Sequence, residues 1–383
     1  MLKLILRNVF RHRLRSVLTL SGVAIAMLAF GILRTLVGAW YAGVESSSAN
    51  RLVTRNKISL IYQLPLAYRN KILRVPGVNG LGYGIWYGGV YKDKKNFFPQ
   101  FAISGLDYLS LYPEFLLHET DKKEFAKDRG SAIVGRATAE RFGWKKGDTI
   151  PLQGTIYPGN IELTIRGIYT GARKNTDETA LFFHYDYLNE RLKKSSSDLA
   201  DKVGWFLTRI KEADQAPKIS TEIDELFSNS LAETLTETEK AFQMGFVAMT
   251  EAILTVVRVI SIVVIGIILI VLANTMAMTA RERSAEYAVL KTLGFSPMFV
   301  FGLICGESIS LALMGGIFGA ALAFPGGMLF QIELKSFLPV FDITYETVLL
   351  ILAVSCGVGM VAAIPPAIRA GRISISQGLR SLG

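Results

Sequence analysis

The chain has 383 residues, 50% of them hydrophobic and 19% charged, with a formal net charge of +10. Water-soluble domains usually carry about 25% charged residues. Here the deficit is gathered into a few long apolar runs, which excludes a wholly soluble protein and predicts membrane spans beside a soluble portion. The positive charge does not read as nucleic-acid binding, because no basic stretch is interleaved with aromatics and many of the cations flank apolar runs.

In chain order, residues 1–15 place Leu2, Leu6 and Val9 or Phe10 on one helical face, with Lys3, Arg7, Arg11, Arg13 and Arg15 around them. That pattern predicts an amphipathic helix lying in the membrane interface, its cations against anionic headgroups. The apolar run from Ser16 to Val37 exceeds the about 7–15 residues of a signal-peptide core, and no small-x-small cleavage site follows cleanly. It reads as a retained span continuing into a stalk.

The next segment has the texture of a soluble α+β domain. Leu66 to Val75 reads as a helix stopped by Pro76-Gly77. Ile85 to Tyr91 and Phe97 to Ser104 read as strands, within an aromatic-rich stretch from Trp86 to Phe101 to which no role is assigned. Ala137 to Phe142 reads as a helix, Thr149 to Leu152 and Ile161 to Tyr169 as strands, and Ile219 to Phe227 as a helix. From about Thr236 a helical pattern is expected to run unbroken, as a stalk, into a second span at Val256 to Met278.

A bilayer core needs about 20 apolar residues in helix. Two more segments qualify: Met298 to Phe324, ending at Pro325-Gly326-Gly327, and Val348 to Ile364, ending at Pro365-Pro366. Proline cannot continue a helix, so these ends look natural. Orientation follows from the Lys/Arg bias. Cations precede the first span, Arg281, Arg283 and Lys291 lie between spans two and three, and Arg369, Arg372 and Arg380 follow span four. The loop between spans three and four carries only Lys335 against Glu333, Asp342 and Glu346. Both termini and the loop between spans two and three are therefore expected in the cytoplasm.

The expected fold class is an α-helical membrane protein with four transmembrane helices and an α+β extracytoplasmic domain between the first two. Its expected parts are an interfacial helix (1–15), the first span and stalk (16–40) and the extracytoplasmic domain (41–235). The stalk and second span (236–280), a cytoplasmic loop (281–297), the third span (298–324) and a short outer loop (325–347) follow. The fourth span (348–366) and a cytoplasmic tail (367–383) complete the chain.

Within the spans, Gly302, Gly306, Gly315 and Gly319, then Gly357, Gly359, Ala362 and Ala363, have the spacing of close helix packing. Arg34 and Arg258 sit near the outer ends of spans one and two. They are read as snorkelling to the outer headgroups or holding the anionic group of an amphiphile there. Glu307 is deeper and is read as satisfying a helix–helix contact rather than relaying protons. Cys305 and Cys356 both lie in apolar runs, so neither staples the soluble domain.

The chemistry of an enzyme is missing. His12, His118 and His184 are the only histidines, and none has metal-ligand spacing with a second His or a Cys. No Gly-x-Ser-x-Gly elbow and no P-loop occurs, so no catalytic or metal site is assigned, and nucleotide hydrolysis is expected from another chain.

Several segments resemble the MacB/FtsX family of ABC permeases, also called type VII or mechanotransmitter transporters. The opening Arg7-Asn8-Val9-Phe10-Arg11-His12-Arg13-Leu14-Arg15 is similar to the family's lead-in helix. Ile72 to Val78, Ser104 to Tyr108, and Ile133-Val134-Gly135-Arg136-Ala137 through Gly143 with Gly147-Asp148 resemble elements of its extracytoplasmic domain. The most specific match is Asn274-Thr275-Met276 through Arg281-Glu282-Arg283 and Glu286 to Leu290-Lys291-Thr292-Leu293-Gly294. Pro366 to Ala370, then Gly378-Leu379-Arg380, is similar to the family's ending, although Ser374, Ser376 and Gln377 replace its acidic-Pro start. The fused ATPase domain of MacB itself has no counterpart in this sequence.

The resemblance implies an ATPase-coupling loop comprising Arg281, Glu282, Arg283, Glu286, Leu290, Lys291 and Gly294. Charged and apolar groups on a short helix between two spans suit a lever seated in a groove of an ATPase. The partners implied are two copies of an ABC ATPase, which bind the ATP and Mg, and a second permease, identical or homologous. A periplasmic membrane-fusion adaptor and an outer-membrane channel are further partners expected on the same ground. The implied location is the bacterial inner membrane with the large domain in the periplasm. The implied work is mechanotransmission driving efflux or extraction of a lipid, lipoprotein or drug. The alternative is FtsX-like signalling that activates cell-wall hydrolases without transport. A sensor of peptide antibiotics is disfavoured, since such members have ten spans.

Overall fold

The computed structural model describes residues 2–173, 175–334, 341 and 343–372. Lys335 and Asp342 of the expected outer loop, and the tail residues Ser374, Ser376, Gln377, Gly378, Leu379 and Arg380, lie outside the described residues. The chain divides into two compact units, one holding residues through Ala39, Thr250–Glu333 and those from Phe341 onward, the other chiefly Trp40–Met249.

The first unit is helical. Among the described residues four helices are long and apolar enough to cross a membrane: Arg13–Ser46, Glu251–Glu282, Pro297–Leu334 and Tyr345–Arg372. In lipid a helix satisfies its own backbone polar groups, which is why uninterrupted apolar runs settle as helices there. The short helix Leu2–Val9 precedes them and buries Ile5 and Val9 in the same apolar core.

Two expected span ends are corrected. The third helix continues through Pro325 to Leu334, and the fourth runs through Pro365-Pro366 to Arg372. Proline removes one hydrogen bond and crowds the preceding turn, but packing against neighbours can hold such a helix together within a membrane. Pro366 is itself buried, along with Ala362, Ala363, Ala367 and Ala370. Small side chains on that face keep the helix pressed to its neighbours through the proline pair.

The second unit is an α+β domain. Its strands are β1 (Arg51–Asn56), β2 (Leu64–Pro65), β3 (Val78–Trp86), β4 (Gln100–Ile103), β5 (Phe115–Leu116) and β6 (Ser131–Gly135). They continue with β7 (Thr149–Gln153), β8 (Asn160–Gly171), β9 (Leu181–His184), β10 (Lys202–Val203), β11 (Trp205–Ile210) and β12 (Thr234–Thr238). The main sheet has the order β12-β1-β11-β3-β4-β9-β6-β8-β5, with β7 paired to β8, and β2 and β10 form a separate pair. Only β4–β9 and β6–β8 run parallel among these pairings. In β7 and β8 the period of two is plain: Ile150, Leu152, Ile161, Leu163 and Ile165 all face the core.

The Ile133 to Gly143 motif now has a physical reading. It is β6 followed by the helix Arg136–Phe142. A Cβ at Gly135 would stand 2.0 Å from the carbonyl oxygen of Glu178, so only glycine lets the two backbones pass. Gly143 ends the helix in the left-handed region at φ 69°.

The aromatic-rich stretch builds core. Trp86 stacks on Phe97 and meets Phe101 edge-on, while Tyr91 and Phe98 pack on Phe142 and Trp144. Offset and edge-to-face pairs of this kind add to the area they bury. The helical stalk expected from Thr236 is corrected as well. Thr236 belongs to β12, the helix begins at Glu239 and ends at Met249, and the span helix starts anew at Glu251. Thr236 donates its N–H and hydroxyl to the Asp224 carboxylate and accepts from the Thr54 hydroxyl on β1, which holds it in the sheet.

Candidate coupling site

The segment between the second and third spans is a short helix, Ser284–Thr292, set off from Glu251–Glu282 by Arg283. Its end is a Schellman motif. Gly294 turns left-handed at φ 91°, its N–H donates to the Lys291 carbonyl, and the Phe295 N–H donates to the Leu290 carbonyl. Ser296 then accepts a hydrogen bond from the Phe299 N–H, and Pro297 opens the third span at a position where a missing N–H costs nothing.

Charge pairs fix this helix. Arg283 is 7% exposed and Glu307 on the third span 4% exposed, and Arg283 Nη1 donates to Glu307 Oε1 at 2.6 Å. Arg283 Nε also donates to Glu286 at 2.9 Å. Glu307 accepts a second bond from Asn8 Nδ2 at 2.7 Å. Glu286 accepts from Arg11 at 2.5 Å, and Arg15 grips Glu282 through both terminal nitrogens at 2.6 and 2.8 Å. At the far end Lys291 Nζ donates to the Gly371 carbonyl at the end of the fourth span. Burial opposes ionisation of Glu286, but hydrogen bonds from Arg283 and Arg11 outweigh it and hold its carboxyl below the usual range.

The helix therefore has two faces. Tyr287 and Ala288 are buried, and Leu290 is half-buried against the helical core. Away from that face, Val289, Leu293 (70% exposed), Phe295 and Met298 are exposed, as is Arg281. Charged groups anchor the segment and apolar ones tip it.

Of the packing glycines, a Cβ at Gly306 would stand 2.6 Å from Ile5, at Gly315 2.6 Å from Val23, and at Gly319 2.7 Å from the Ala24 carbonyl oxygen. The third span thus lies close against the first. Gly302 is half-buried. Gly357 is exposed with nothing within 4 Å, and Gly359 takes the close approach instead, its Cβ position 2.8 Å from the Ile309 Cα. Arg34 and Arg258 are exposed on the first and second spans.

Sequence reasoning missed the partners. Arg11 and Arg15 read as headgroup contacts and Asn8 only as part of the lead-in motif, yet they are the counterparts of Glu286, Glu282 and Glu307. A signal was present in their spacing, which matches a second charged cluster at 282–286 of opposite sign. A second cluster, in the soluble domain, was also missed. Arg51 is 4% exposed and pairs with Glu239 at 2.8 Å and Glu114 at 2.6 Å while lying over the Tyr112 ring. Glu239 also accepts the Ser48 N–H at 2.8 Å, so the chain's entry into the domain is clasped to its exit.

Residues 16–226 match the MacB-like periplasmic core domain, and residues 258–375 match the FtsX-like permease C-terminal family. An uncharacterised ABC transporter permease of Methanocaldococcus jannaschii is 24% identical over 343 residues, spanning 82% of this chain and 80% of that protein. Among solved structures, the extracellular domain of the ABC-type transporter YknZ from Gram-positive bacteria covers 49% of this chain and 99% of its own, at 12% identity and a TM-score of 0.36.

Proposed function

The chain belongs to the MacB/FtsX family of ABC transporter permeases, and on that premise we propose that it is the mechanical subunit of an ATP-driven machine. A separate ABC ATPase, present in two copies and holding the ATP and Mg, pushes the Ser284–Thr292 helix. That motion changes the extracytoplasmic domain and drives export or extraction of an amphiphile such as a lipid, lipoprotein or drug. The chain works as a dimer in the bacterial inner membrane, with both termini and the coupling loop cytoplasmic. An adaptor and an outer-membrane channel complete the route, and Arg34 and Arg258 meet the amphiphile at the outer leaflet.

The observation that carries this reading is the two-sided coupling helix. An element that has only to connect two spans needs neither a buried Arg283–Glu307 pair nor an apolar tip at Val289, Leu293 and Phe295. A lever needs both: rigid attachment on one side and a complementary surface on the other. Glu282→Lys places a cation beside Arg15 and is expected to abolish stimulation of the ATPase in the reconstituted complex. Full stimulated activity in that variant refutes the assignment. Copurification from the membrane separates the kinds of work, since bound lipid or lipoprotein supports extraction and a bound cell-wall hydrolase favours signalling.

A further inference from the structure

An open groove of about 710 Å³ lies between the start of the first span and the second span. One side carries the guanidiniums of Arg13 and Arg15, with His12 beside them. The other is apolar, with Leu14 and Leu18 on the first span and Val271 on the second. Arg15 shares its charge with Glu282, but Arg13 is exposed and has no ion-pair partner among the described residues. The groove also holds two hydroxyls. Thr275 spends its own on the Val271 carbonyl. Thr19 also lines the groove, and its hydroxyl makes no hydrogen bond among the described residues.

These features together describe a ligand. A hydroxyl with no protein partner beside an open groove can donate to an incoming acceptor. The Arg13 guanidinium, exposed and without an ion pair among the described residues, calls for an anion beside it. The apolar wall on a membrane-spanning helix calls for hydrocarbon, and the volume falls within the about 300–1,000 Å³ of small-molecule sites. An anion joined to hydrocarbon at the headgroup depth of a bilayer is an anionic phospholipid.

We propose that this groove binds one anionic diacyl phospholipid, its phosphodiester at Arg13 and Thr19 and its acyl chains along Leu18 and Val271. The site lies on the same charged end of the bundle as the coupling segment, because Arg15 joins both through Glu282. A lipid seated there would brace the first span against the second beside the lever. The binding itself requires only that the four helices span a membrane, so it stands or falls independently of ATPase coupling.

The test is native mass spectrometry of the full chain in detergent, titrated separately with phosphatidylglycerol, phosphatidylcholine and water-soluble glycerol phosphate. One phosphatidylglycerol is expected to bind at least tenfold more tightly than phosphatidylcholine, with glycerol phosphate ineffective as a competitor. Arg13→Gln should weaken that binding about fivefold, the worth of one basic group near an anionic lipid surface. Thr19→Val, which keeps the shape, should weaken it by a similar factor, and circular dichroism checks that both variants keep their helices. Equal binding of the two lipids, or competition by free glycerol phosphate, overturns the proposal. So does an equal loss in Arg7→Gln, which would mark diffuse attraction to the basic N-terminus. A change in oligomeric state without a change in lipid binding also overturns it, in favour of a second copy as occupant.

Discussion

Arg283 and Glu307 illustrate how a single pair can set geometry without adding much to net stability. Taking both charges out of water costs nearly what their attraction returns, whereas removing one partner leaves a charge buried alone. Arg283→Leu should therefore cost about 3–5 kcal/mol in denaturant unfolding of the purified chain, since among the described residues Glu307 keeps only the Asn8 amide. The Arg283→Leu/Glu307→Leu double variant should recover much of that loss, and a double variant no better than the single would show that the pair is not the unit. In the soluble domain His184 makes a different point. It stacks on Phe125 at 4.0 Å, and its Nε2 stands 2.8 Å from the Phe125 carbonyl oxygen. Burial lowers its pKa despite that carbonyl, so the folded protein takes up its proton less readily than the unfolded one. The stability it contributes is full above the ordinary histidine value of about 6.5 and declines as pH falls through and below it. Comparing melting at pH 7.5 and 5.5, His184→Gln should lose less on acidification than the parent chain. An unchanged difference would remove histidine burial as the cause.

At the level of elements, the close approach of the third and fourth spans rests on Gly359. Its Cβ position is 2.8 Å from the Ile309 backbone, and the Gly359 carbonyl accepts the Ser308 hydroxyl. Gly359→Ala should lower the thermal midpoint of the purified chain by several degrees, a loss of about 1–3 kcal/mol for overpacking. Gly357→Ala should leave it unchanged or raise it slightly, because the added methyl meets nothing and alanine favours helix. The reverse ranking would show that the packing seam runs elsewhere. This contrast also marks where sequence is legible. Four spans were readable because each needs only a long apolar run, a property of the segment itself. Which face of a span packs depends on rotation about its axis, and Gly357 and Gly359 have the same composition signal. The prolines at Pro325 and Pro365 misled for a related reason: the rule that they stop helices comes from water, where no neighbouring helix holds the turn. In the soluble domain the elements with a private signature were found, such as Ile161 to Tyr169 with its strict alternation. Thr236 was misread because its strand is specified from outside, by Asp224 and Thr54.

For the whole molecule, the lever we propose is useful only if movement of the chain reaches the domain it carries. Arg51 is placed for that. It holds Glu239, the first residue of the helix leaving the domain, and Glu239 in turn holds the N–H of Ser48 where the chain enters. The same guanidinium binds Glu114 and the Leu111 carbonyl, which ties this clasp to the strand and helix around residues 106–116. Three parts of the domain distant in sequence are thus tied together. No periodicity or motif announces such a residue, because an arginine at the start of a strand reads as solvated until its carboxylates are brought up from 63 and 188 residues away. Arg51→Gln keeps the length and some hydrogen bonding but leaves Glu114 and Glu239 without a counter-charge. In the reconstituted complex with its ATPase, hydrogen exchange across Arg51–Asn56 and Thr234–Thr238 should respond to ATP in the parent chain. In Arg51→Gln that response should be lost while ATPase stimulation, which we propose depends on the Ser284–Thr292 helix, is retained. Loss of both would mean that the variant has damaged the lever itself. A response surviving at full size would mean that motion enters the domain by another path than the clasp.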